Sequence, residues 1–151
     1  MTDTISVNGE QRQQDQETAA WITFAETDLK TAEYLLNGAF YPLPLEIICY
    51  HSQQAAEKAV KALIVYFGKQ GGIPKQHDIS FLLNQIKILV KSRSQLGVTE
   101  ELMDYADNLT QYGIAPRYPN EMNIDEEEAK YAVRQAGTIL QWAKNIIADE
   151  S

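Results

Sequence analysis

From Ala129 to Ile147, apolar residues return every three or four positions: Ala129, Ala132, Val133, Ala136, Ile139, Leu140, Ala143, Ile146 and Ile147. At about 100° per residue they stay on one side of a helix for about five turns. No strand can use this spacing, because strand side chains alternate between two faces. A stripe that long must be covered by a surface of similar length, and in a chain of 151 residues other helices are the natural cover. The rest of the chain repeats the spacing, and no segment alternates as a half-buried strand would. The predicted fold class is all-α, an antiparallel up-and-down bundle of four to five helices.

Punctuation divides the bundle. Residues 1–17 are polar, rich in Gln and without apolar period, and are expected to form a disordered tail. A single domain is expected over 18–148. Its first helix runs from about Thr18 to Asn37, lined by Trp21, Phe24, Ala25, Ala32, Leu35 and Leu36, and stops at Gly38. The second follows Pro42 and Pro44 and ends near Phe67-Gly68, with an alanine-rich inner side. A third opens at Asp78. Thr99 caps a fourth, in which Leu102, Tyr105, Ala106, Leu109 and Tyr112 share one face. Asp125, with Glu128 three residues on, forms a capping box for the last.

Several functional classes fall away on composition. No apolar run approaches the roughly 18 residues of a membrane span, and the start of the chain lacks the basic and apolar regions of a secretory signal. Cys49 is the only cysteine, so no internal disulfide forms and a cysteine-based zinc site is disfavoured. With two histidines and no cluster of acids beside either, no metal site is expected. The plain reading is a cytoplasmic protein.

Net charge is −8, which repels nucleic acid at long range. The distribution is uneven. Between Lys58 and Arg93 stand seven basic residues and one acid, Asp78. A basic middle in an acidic chain points to an anion site, or else to a solvated face balanced by acids elsewhere in the fold.

The sharpest constellation lies on the second helix. His51, Gln54, Lys58 and Lys61 are spaced three, four and three residues apart and fall within about 80° of arc. One imidazole, one amide and two ammonium groups in a row can grip phosphate and hydrogen-bond a base or ribose; a solvent-facing stripe would look the same. Asp28 interrupts the apolar face of the first helix and requires a cation, with Lys58, Lys61 and Arg117 as candidates. Arg117 is a fork of donors suited to phosphate or carboxylate; Pro116 and Pro119 stiffen its loop, and Tyr118 can stack on a base. His77 is read as lying just outside the helix that Asp78 caps.

The run Cys49-Tyr50-His51-Ser52-Gln53-Gln54-Ala55-Ala56-Glu57-Lys58-Ala59-Val60-Lys61-Ala62-Leu63 resembles the signature helix of HEPN domains. Asp28-Leu29, His77-Asp78, Tyr112 and Arg117-Tyr118-Pro119 match in order, so the resemblance spans Trp21 to Ala148. It implies a helical bundle that often forms a homodimer. It also implies nucleotide binding and pairing with a minimal nucleotidyltransferase, in some members as a toxin–antitoxin system. Ribonuclease members of the family carry an arginine, then four to six intervening residues, then a histidine. After Arg117 the corresponding positions are Met122, Asn123 and Ile124, so the proton-transfer partner of RNA cleavage is missing.

The functional expectation is therefore an accessory protein without catalytic residues of its own. His51, Gln54, Lys58, Lys61, Arg117 and Tyr118 would bind a nucleotide or other anion, supported by Asp28 and Tyr112. No intrinsic cofactor is expected, although a bound nucleotide would bring magnesium. The alternatives are a dimeric interaction module and a ribonuclease toxin with a displaced catalytic residue.

Overall fold

The computed structural model describes residues 2–38, 41–68, 72–93, 96–113 and 123–149. Five helices follow one another: α1 (Thr2–Leu36), α2 (Leu45–Tyr66), α3 (Ile79–Arg93), α4 (Glu100–Thr110) and α5 (Glu126–Asp149). Among the described residues there is no strand, and no helix is long and apolar enough to cross a membrane.

Three of the starts are capped as the sequence specifies. Thr99 Oγ accepts from Leu102 N at 3.1 Å, Asp78 Oδ1 from Phe81 N at 3.1 Å, and Asp125 Oδ1 from Glu128 N at 2.7 Å. Each oxygen satisfies an amide that would otherwise lack a partner in the first turn. α1 ends where Gly38 takes φ of 89°, a left-handed conformation that a side chain would strain.

α2 is the centre of the fold and packs against all four other helices. Ala55, Ala56, Ala59 and Leu63 are fully buried and share one core with Ala25 and Ala32 of α1 and Ala132, Ala136 and Ala143 of α5. Small side chains let three long helices approach closely, and Ile48, Leu82, Ile86, Leu109, Ile139 and Ile146 fill the space between and beside them. Polar ties join the rim: Thr110 Oγ accepts from Ile79 N at 3.1 Å and Asn108 Nδ2 donates to Gln135 Oε1 at 2.6 Å.

The beginning of the chain departs from expectation. Instead of a disordered tail over residues 1–17, α1 begins at Thr2. The segment contains no proline, and Gln, Glu and Arg propagate a helix well without an apolar stripe. Contact then holds it. Gln14 Nε2 donates to Val65 O at 2.7 Å and Tyr66 O at 3.0 Å, joining the extension to carbonyls at the end of α2.

Candidate functional site

α1 and α2 run antiparallel, and their seam carries a polar row. Gln14 meets Val65 and Tyr66, Trp21 meets Lys61, and Asp28 meets His51 and Lys58. The expected stripe of His51, Gln54, Lys58 and Lys61 lies along this seam, but it divides between two carboxylates.

Asp28 organises the first set. His51 Nδ1 lies 2.9 Å from Oδ1 and Lys58 Nζ 2.5 Å from Oδ2. A carboxylate in this arrangement only accepts, so Nδ1 of His51 bears the hydrogen. The Asp28 side chain is 12% exposed, against 28% for His51 and 26% for Lys58. The anion is thus withdrawn while both of its partners reach solvent. Of the two described cations proposed for Asp28, Lys58 is the one that binds it, and His51 joins it; Arg117, the third, lies outside the described residues.

Glu57 organises the second set and is the residue that sequence reasoning missed. Its side chain is 4% exposed. Oε1 accepts from Gln53 Nε2 at 3.0 Å and meets His77 Nδ1 at 3.0 Å, while Oε2 accepts from Lys61 Nζ at 2.9 Å. Lys61 is itself buried, with its ammonium 5.8 Å from the centre of the Trp21 ring, a cation–π contact. Gln54 Nε2 donates to Gln53 Oε1 at 2.7 Å, linking the stripe to this network. His77 therefore does more than precede a cap: it brings the start of α3 onto α2. The spacing of Glu57 and Lys61 was the available signal, since a Glu four residues before a Lys forms an ion pair on a helix.

Tyr112 and Cys49 sit apart from the row in the core. The Tyr112 hydroxyl is buried and makes no hydrogen bond. Burial raises its ionisation well above the usual phenol range, helped by the negative charges that Cys49 and Glu128 would place beside it. Burial likewise lifts the Cys49 thiol from 9.0 to about 12, with Glu128 and Glu46 adding to the shift. Neither group is suited to chemistry near neutral pH. Arg117 and Tyr118 lie outside the described residues. Among the described residues no three His, Cys, Asp or Glu side chains group to hold a metal ion.

This arrangement, a charged row on the second helix answered by an aspartate on the first, occurs in a chain with recognisable relatives. The chain is 26% identical over 142 residues to the proposed toxin MJ1304 of Methanocaldococcus jannaschii, covering 86% of this chain and 88% of that protein. The crystal structure of TT1696 from Thermus thermophilus superposes with a TM-score of 0.64 at 26% identity, over 86% of this chain and 98% of that one. ST0689, described as an archaeal HEPN homologue, superposes with a TM-score of 0.58 at 30% identity, over 85% and 96% of the two chains. The HEPN domain itself matches residues 18–146, which contain the whole of the Asp28 and Glu57 sets. The chain belongs to the HEPN domain family.

Proposed function

We propose that this chain is the HEPN member of a toxin–antitoxin type pair, binding a nucleotide at the α1–α2 row and acting with a minimal nucleotidyltransferase. The observation that carries this reading is the Asp28 set, where a withdrawn carboxylate holds His51 and Lys58 at the surface. An ammonium has three donors, so with one on Asp28 two remain for phosphate oxygens. Gln54 is half-buried on the same arc and offers a neutral amide to a base or sugar. Lys61, closed onto Glu57, serves by holding Trp21 rather than by meeting the ligand. Likeness to a proposed toxin supports the biological setting. A nucleotidyltransferase is the partner that the family resemblance implies.

A thermal-shift panel of mono-, di- and triphosphate nucleotides, with and without magnesium, tests the reading. A ligand at 100 times its Kd stabilises the native state by about 2.7 kcal/mol, or roughly a 5–10 °C rise for a domain of this size. A flat panel would refute nucleotide binding.

A second reading has its own support. Lys58 and Lys61 are each neutralised by a carboxylate, which weakens the pull of the row on phosphate. A module that binds protein rather than nucleotide fits that pairing, and it predicts a partner released by charge reversal at Lys58.

A further inference from the structure

Where α5 stops, α1 and α2 leave a groove open. α5 runs antiparallel to α1, with Leu29 beside Gly137 and Glu26 on Lys144, and α2 is antiparallel to α1 as well. α2 and α5 therefore end side by side, at Tyr66 and Asp149, while α1 continues past both towards Thr2. The space between the three has a volume of 490 Å³, within the roughly 300–1,000 Å³ of small-molecule sites. Its lining includes no member of the Asp28 or Glu57 sets. Asp15 and Ile147, which do line it, lie outside the residues 18–146 that the HEPN domain matches.

The walls are tied in place. Gln14 binds the carbonyls of Val65 and Tyr66 and so fastens α1 to the end of α2. Lys144 on Glu26 fastens α5 to α1. Between these ties Ala19, Ile22, Tyr66 and Ile147 supply an apolar lining with one aromatic ring.

The polar groups of the groove favour a cation. Asp15 Oδ1 accepts from the neutral amide of Gln11 at 2.8 Å, and among the described residues no cation pairs with this carboxylate. Lys144, also in the lining, is already held by Glu26 at 3.0 Å. Thr18 and Thr23 donate their hydroxyl hydrogens to Gln14 O and Ala19 O, so towards a ligand each oxygen can only accept. Neither α2 nor α5 has a basic residue in its last turn, and the carbonyl end of a helix carries partial negative charge. An anion here would meet acceptors and one paired ammonium. A cation would meet a carboxylate, two hydroxyl oxygens, two helix ends and the Tyr66 ring.

We propose that this groove binds a small organic amine with an apolar body, its ammonium on Asp15 and its body over Ala19, Ile22 and Ile147. A chain with a net charge of −8 draws any cation weakly, so the apolar lining is what makes the site selective. The inference stands independently of nucleotide binding.

Titration calorimetry on the full chain tests it, with phenylbutylamine, phenylbutanol, phenylbutyrate and methylamine as probes. Phenylbutylamine should bind at millimolar concentration or below. The alcohol should bind at least tenfold more weakly, and neither phenylbutyrate nor methylamine should give saturable heat. Asp15→Asn should weaken the amine at least tenfold. Ala19→Phe, at an exposed helical position, should abolish binding by filling the groove, with helical circular dichroism unchanged in both variants. The acid or the alcohol binding as tightly as the amine would overturn the proposal. So would the absence of saturable heat from the amine, or binding indifferent to both substitutions. Loss of self-association in Ala19→Phe, seen by light scattering, would also overturn it, since a second copy would then be the occupant.

Discussion

The Asp28 carboxylate holds His51 through one oxygen and Lys58 through the other, at 2.9 and 2.5 Å. One residue of α1 thereby clamps two residues of α2 that lie about two turns apart, and the register of the two helices is set at the place where the site is built.

Removing the clamp has a bounded effect. In Asp28→Ala Lys58 loses its anion and His51 its acceptor, but both are already partly in water, so the loss should be about 1–3 kcal/mol. That is less than the roughly 3–5 kcal/mol of a fully buried broken pair. Urea unfolding measures it. An unchanged midpoint would show that Asp28 is not held as described.

Glu57 should be the more sensitive of the two carboxylates. Its side chain is 4% exposed and that of Lys61 11%. Glu57→Gln leaves an ammonium in a buried setting without its counter-charge, and the expected loss is about 3–5 kcal/mol. In a thermal melt this corresponds to roughly a 10 °C fall. A fall smaller than that of Asp28→Ala would reverse the assignment.

Tyr112 provides a substitution expected to do no harm. Its hydroxyl is buried without a hydrogen bond, an arrangement that costs about 1–3 kcal/mol in lost hydration. Tyr112→Phe keeps the ring and removes the stranded group. The melting midpoint should hold or rise, and a clear fall would mean that the hydroxyl has a partner in solution.

Alkaline pH should unfold the protein through its core. The unfolded chain releases the Cys49 proton from about pH 9.0, whereas the folded chain keeps it until about 12. Above 9.0 the unfolded state thus binds fewer protons, so stability falls as pH rises towards 12. Tyr112, raised from its ordinary 10.0 by the same burial, acts in the same direction. Melting midpoints should be level up to about pH 9 and then drop. The drop should be shallower in a Cys49→Ala, Tyr112→Phe variant, and an equal drop in that variant would contradict this origin.

Much of the fold could be read from spacing alone, because helices that bury one face must repeat every three or four residues. The caps at Asp78, Thr99 and Asp125 announce themselves by residue type. Asp28 was legible as a carboxylate on an apolar face in need of a cation. Glu57 was not, since a Glu beside lysines on an alanine-rich helix usually faces water. Only the packing of α2 against four neighbours places it inside. Residues 2–17 were misread for a related reason. Periodicity detects helices that bury a stripe, and this one is secured by Gln14 on the carbonyls of Val65 and Tyr66.

The most direct test of the proposed function is titration calorimetry of nucleoside mono-, di- and triphosphates against the wild type, Lys58→Met and His51→Gln. Binding by the wild type should tighten with each added phosphate. Lys58→Met should weaken it at least tenfold, about 1.4 kcal/mol, with the fold retained by circular dichroism. Equal affinity in the wild type and Lys58→Met would place the nucleotide elsewhere, and no heat with any nucleotide would contradict the nucleotide reading itself.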